Sequence, residues 1–104
     1  LTGLGFSGTK ITDATAGRLL QLVGLNHLEM RKTKVTDKGI EDLGELKNLR
    51  LIDLGETAVS DAGIEKLKGI KKLATLKLDK TKGTEGGAAK LREALGSGLN
   101  LTLQ

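Results

Sequence analysis

The chain has 104 residues, 38% of them apolar and 29% charged, with 15 glycines, no proline and a formal charge of +4. That length fits one domain, and that balance is ordinary for a folded chain and does not suggest disorder. With no cysteine, disulfides, thiolate metal sites and thiol nucleophiles are excluded as well. Phe6 is the one aromatic, so the core must be made of Leu, Ile, Val and Ala. Such a core suits thin stacked layers better than a globule.

Taken in chain order, the sequence repeats itself. Thr9-Lys10-Ile11-Thr12-Asp13 recurs as Thr33-Lys34-Val35-Thr36-Asp37, as Thr57-Ala58-Val59-Ser60-Asp61 and as Thr81-Lys82-Gly83-Thr84-Glu85, in steps of 24 residues. Leu1, Leu25, Leu49 and Leu73 align at the same step, as do Leu4, Leu28, Ile52 and Leu76, and Phe6, Met30, Leu54 and Leu78. Leu19, Leu43, Leu67 and Leu91 form a fourth column, and Leu22, Leu46 and Ile70 a fifth. The expected division is therefore one domain, 1–104, in repeats 1–24, 25–48, 49–72 and 73–98. After Leu91 the register slips by about one residue, and Leu101 and Leu103 open a partial fifth strand in 99–104.

Each unit has two halves. Gly3 to Gly8 reads as a thin first strand; it lacks the context and the Lys-Ser/Thr ending of a phosphate loop. Leu28-Glu29-Met30, Ile52-Asp53-Leu54 and Leu76-Lys77-Leu78 alternate apolar with polar, the period of a strand buried on one face. Ile40, Leu43 and Leu46, like Ile64, Leu67 and Ile70, then line one side of a short helix. Thr36, Ser60 and Thr84, each followed by an acid, are the expected helix starts, with hydroxyl or carboxylate accepting from free N–H groups. Gly39 and Gly63 are expected to let backbone pass closely over the layer below. Stacking such units buries faces that no unit can bury alone. Because strands lie ~4.8 Å apart and helices 8–10 Å, the stack must curve with its sheet concave.

The unit LxxLxLxxTxVTDxGIxxLxxLxx, as in Leu25 to Asn48 and Leu49 to Lys72, resembles the leucine-rich repeat. It is most similar to the bacterial 24-residue variety with a Thr-Asp-x-Gly segment, and the resemblance covers nearly the whole chain. It implies an α/β, right-handed βα solenoid, a horseshoe with a parallel sheet on its concave face and short helices on its convex face. It also implies that this sheet binds proteins. Where many such repeats carry an inward Asn, this chain has Thr9, Thr33, Thr57 and Thr81, expected to form a buried threonine ladder between loops. Gly83 and Ala88 weaken the fourth repeat, which either degenerates there or makes room for a bulkier neighbour.

The residues for catalysis or cofactor binding are missing. His27 is the one histidine and falls at an outward strand position, so neither a metal site nor a nucleophile triad can be assembled. Asp13, Asp37, Asp61 and Glu85 recur once per repeat, which marks a structural task. Glu29 and Asp53 should be neighbours that share a proton or, more simply, pair with Arg31 and Lys77. The expectation is no enzyme, no cofactor and no metal.

Function should lie on the outward strand positions. These are Gly3, Gly5, Ser7 and Gly8; His27, Glu29, Arg31 and Lys32; Leu51, Asp53, Gly55 and Glu56; and Thr75, Lys77, Asp79 and Lys80. Among them His27, Glu29, Arg31, Leu51, Asp53, Thr75, Lys77 and Asp79 are the candidate partner-binding residues, with Leu51 the one aliphatic. Such a face, on the order of 250 Å² from strand spacing and rise, falls short of the ~800 Å² each partner gives a standard interface. Another protein is the expected partner. The alternative is a scaffold or self-associating element, stacking through an open apolar end of Leu1, Leu4, Phe6, Ile11 and Leu19. The lysines from Lys66 to Lys82 read as a solvated face, and without aromatic platforms nucleic acid is not expected. No stretch nears the ~18 apolar residues of a membrane span. The start at Leu1 reads as a fragment or processed product and leaves the compartment open.

Overall fold

The computed structural model describes residues 3–5, 7–18, 24–96 and 98–103. The alternating segments become three-residue strands: β1 (Gly3–Gly5), β2 (His27–Glu29), β3 (Leu51–Asp53), β4 (Thr75–Lys77) and β5 (Asn100–Thr102). Between them lie α1 (Asp13–Arg18), α2 (Asp37–Leu43), α3 (Asp61–Lys66), continued by a 3-10 turn over Leu67–Gly69, and α4 (Glu85–Leu95). The strands form one parallel sheet in chain order, and consecutive helices pack against one another on its other side. Leu28 pairs with Ile52 and Ile52 with Leu76, each 24 residues on, whereas Leu76 pairs with Leu101, 25 residues on. The expected slip is there, beside α4, the longest helix among the described residues.

The core is the set of aligned columns. Leu28, Ile52 and Leu76 of the strands, Met30, Leu54 and Leu78 just after them, and Ile40, Leu43, Ile64 and Leu67 of the helices are fully buried. Leu1, Phe6, Leu19 and Leu22 lie outside the described residues, and with them most of the expected apolar end. Ile11 of that end is partly buried against the core.

Gly8, Lys32, Glu56 and Lys80 are not strand residues, because each strand stops earlier. They hold a left-handed turn with φ of 76°, 58°, 57° and 59°. The N–H of Gly8 donates to Arg31 O at 2.7 Å, that of Lys32 to Gly55 O at 3.0 Å and that of Glu56 to Asp79 O at 2.8 Å. For a residue with a Cβ the conformation costs about 1–2 kcal/mol, and these bonds to the next repeat help hold it.

The threonine column closes locally. Thr33, Thr57 and Thr81 donate their hydroxyls to Met30 O, Leu54 O and Leu78 O, each at 2.7 Å and within the same repeat. A hydroxyl one bond from Cβ reaches its own turn more easily than the next loop.

The link between repeats is made by the aspartates, and it corrects the expected capping. Thr36, Ser60 and Thr84 occupy the N-cap positions in extended conformation, with no cap bond from their own side chains. The acceptor comes instead from the repeat before. Asp13 accepts from the Thr36 N–H at 2.7 Å, its hydroxyl at 2.6 Å and the Gly39 N–H at 3.1 Å. Asp37 accepts from the N–H of Ser60 at 2.7 Å and from its hydroxyl, and Asp61 from Thr84 at 2.7 and 2.6 Å. The Thr84 hydroxyl, and after it the Thr84 N–H, hold Asp61 below the usual carboxylate range.

This explains the glycines. Gly63 and Gly87 clear space for the incoming carboxylate rather than for backbone: a Cβ at Gly87 would lie 2.7 Å from Asp61 Cγ, and one at Gly63 would collide with Asp37 Oδ1. Gly83 makes room for a bulkier neighbour, since a Cβ there would lie 2.5 Å from Ile64 Cδ1. Two adjacent glycines of α4 then have opposite tolerances. Gly87→Ala is expected to lower stability by about 1–3 kcal/mol through overpacking. Gly86→Ala, whose Cβ meets only Thr84 Oγ1 at 3.6 Å, is expected to raise it by about 0.5 kcal/mol. Urea denaturation of both variants checks the pair; a cost at Gly86 as large as at Gly87 contradicts the carboxylate account.

Candidate functional site on the sheet face

Parallel register places the outward residues in rows across the strands: Gly3, His27, Leu51, Thr75 and Asn100 in one, and Gly5, Glu29, Asp53, Lys77 and Thr102 in the next. Ser7, Arg31, Gly55 and Asp79 follow in the turn beyond.

Arg31 organises this face. Its Nε donates to Asp53 Oδ2 at 3.2 Å and its Nη1 to Glu56 Oε2 at 3.3 Å. The two Nη atoms donate to both oxygens of Asp79, at 2.7 and 2.5 Å. The planar guanidinium fits a carboxylate in this forked way. To reach Asp79 it must cross β3, and it does so over Gly55, where a Cβ would lie 2.5 Å from Arg31 Cζ. Asp53, Glu56, Asp79 and Arg31 are at most 28% exposed in their side chains. Asp53 also accepts the Gly55 N–H at 3.0 Å. The Asp79 hydrogen bond raises the Arg31 pKa most, followed by that of Asp53. In return Arg31 holds the Asp79 carboxyl below its usual range.

The other half of the face leans the opposite way. A Cβ at Gly3 would touch His27 Cβ at 3.4 Å, and one at Gly5 would lie 3.9 Å from Glu29 Oε2. His27 Nε2 lies 2.9 Å from Glu29 Oε1. Glu29 and Asp53 stand side by side as expected, yet each pairs with a different partner, Glu29 with His27 and Asp53 with Arg31. Leu51 and Thr75 are half-buried and Lys77 is exposed; among the described residues Lys77 has no ion pair.

No family model matches the sequence, and no curated protein matches it. The fold does find counterparts among solved structures. A leucine-rich-repeat protein of Leptospira interrogans is 24% identical, with a TM-score of 0.76, covering 99% of this chain and 25% of that one. An internalin of Listeria monocytogenes is 20% identical, with a TM-score of 0.61, covering 98% of this chain and 34% of that one. The chain has the leucine-rich-repeat fold. It spans about a quarter of the first of these bacterial proteins and a third of the second.

In this leucine-rich-repeat stack the lysines of 66–82 do not form one patch. Lys66 pairs with Glu41 at 3.2 Å and Lys68 with Glu65 at 3.5 Å on the helix side. Lys72 lies in the turn before β4, Lys77 on the sheet face, and Lys80 and Lys82 beyond it. Among the described residues no group of three His, Cys, Asp or Glu is placed to hold a metal ion.

Charge reversal at Arg31 or Asp53 removes this half-buried clamp. Its pH dependence has a definite sign. Because the folded-state pKa of Asp79 is lowered, its stabilisation is full above the unfolded value of about 3.9 and is lost as pH falls through the lower folded value. Asp79→Asn is expected to cost about 1–2 kcal/mol at pH 7, a deficit that shrinks below about pH 4 as the wild type loses its carboxylate. Thermal melts of both proteins across pH read this directly; a deficit independent of pH contradicts the charge-based clamp.

Proposed function

We propose that this chain binds another protein through its sheet face. In this reading residues 1–104 act as one unit with repeats dividing at 24, 48, 72 and 98, and the face is a binding surface rather than a catalytic one. The observation that carries it is the contrast within the face. Arg31, Asp53, Glu56 and Asp79 are tied to one another, and His27 to Glu29, while Leu51, Thr75 and Lys77 stand together with their outward groups uncommitted. An aliphatic contact beside a free cation, framed by fixed polar groups, suits a protein partner that brings an apolar side chain next to an acid. His27, Glu29, Arg31, Asp53 and Asp79 complete the contact set as a preorganised frame.

The charge balance supports a protein over a polyanion. The face carries four cations (Arg31, Lys32, Lys77, Lys80) and four anions (Glu29, Asp53, Glu56, Asp79), so it has no net charge to attract a polyanion. Its area is still small for a standard interface, so the partner also touches the flanking turns or further repeats.

A photo-crosslinking residue at Thr75 is expected to capture the partner, and one at Lys38 on the helix side is not. Leu51→Glu with Lys77→Glu is expected to abolish capture while moving the melting temperature little, because neither side chain belongs to the clamp. Capture that survives the double substitution contradicts the reading. A crosslink only to a second copy of the chain favours self-association instead.

A further inference from the structure

A second surface feature lies where the chain turns from each helix into the next strand. Gly24, Asn26, Asn48, Arg50 and Lys72 line a recess of about 190 Å³. The lining holds two cations and two amides, and no carboxylate.

Stacking does not require these cations. The second residue of each repeat is Thr2, Asn26, Arg50 or Ala74, and the twenty-fourth is Gly24, Asn48 or Lys72. Arg50 and Lys72 each appear once in their columns, at the two ends of the third repeat, where the recess brings them together. Their supports are fixed. The Arg50 N–H donates to Asn26 O at 2.7 Å, and Arg50 O accepts from Ala74 and Thr75 N–H at 2.8 and 3.0 Å. Lys72 Nζ donates to Asn48 Oδ1 at 3.3 Å. The Arg50 guanidinium differs from that of Arg31: among the described residues it has no hydrogen bond or ion pair. Segments 47–50 and 71–74 hold Lys47, Arg50, Lys71 and Lys72 and no acid, so this edge is positive while the sheet face is balanced.

We propose that this recess is an oxyanion site, with a phosphate-type dianion as its preferred ligand. The guanidinium offers a forked pair of N–H donors, Lys72 a point charge and the Asn26 amide a further donor. The volume holds one such group with a few waters, each water taking about 30 Å³. The same chemistry accepts a carboxylate, singly charged and with two oxygens, more weakly.

The test is a two-dimensional amide and side-chain NMR titration of the intact chain with inorganic phosphate, with acetate and chloride at matched ionic strength as separate arms. Phosphate is expected to give saturable shifts at Asn26, Asn48 and Arg50, with a dissociation constant on the order of 1 mM. Arg50→Ala is expected to weaken binding about tenfold, and Arg50→Lys to restore part of it. Acetate binding as tightly as phosphate would keep the oxyanion site but make a carboxylate its source. Shifts that follow ionic strength whatever the anion, or phosphate binding unchanged in Arg50→Ala, overturn the proposal. The exposed position of Arg50 keeps either variant folded, so a null result is informative.

Discussion

Helices of six or seven residues, such as α2 and α3, are too short to stand on their own hydrogen bonds, and their first N–H groups need acceptors. The residue that opens α2, α3 or α4 is held by an aspartate that belongs to the repeat before it. Asp13 starts α2, Asp37 starts α3 and Asp61 starts α4. A helix can therefore form fully only when the preceding layer is in place, and capping and stacking become a single event. Position 15 of the repeat follows from the same bond. It is Gly in Gly63 and Gly87 because a carboxylate fills the space of a Cβ there, the N–H of Gly39 donates to such a carboxylate, and Thr15 stands there in the first repeat. The column ends as Glu85, which turns to Arg92 at 3.7 Å.

Most of this fold was legible in the sequence because a repeat multiplies every signal. The strands, the one-residue slip before β5 and the buried columns all follow from a period counted over four copies. The position of the aspartates was legible too, but their direction was not. A Thr-Asp pair at a helix start looks the same whether the acid caps its own helix or the next one. Only the spacing of stacked layers decides, and that spacing is not written in a single unit. The threonine column misled for a related reason. An inward hydroxyl at fixed spacing suggests a ladder, while its short reach returns it to its own turn at Met30, Leu54 and Leu78.

The outward residues of the face were legible, but their relations were less so. Register alone puts Glu29 beside Asp53, and the structure bears this out. The clamp could have been found from one row: Ser7, Arg31, Gly55, Asp79 places opposite charges two strands apart with a glycine between them. What the row does not reveal is that Arg31 lies down across that glycine instead of standing out from the sheet. A residue read as standing out from the sheet is, in the molecule, held down by carboxylates of two further repeats.

That choice has a consequence for how the stack behaves. In a solenoid each repeat touches only its neighbours, so layers can open one at a time. The Asp bonds, the turn bonds and the core columns all obey this rule. Arg31 breaks it, because it belongs to the second repeat and holds Asp79 of the fourth across Gly55 of the third. Opening the third or the fourth repeat then strips the clamp from its floor or its anchor. The strands at the centre of the face are thereby coupled more strongly than neighbour contacts alone would couple them. A face fixed in this way has less freedom to lose on association, and Leu51, Thr75 and Lys77 stand on just those strands.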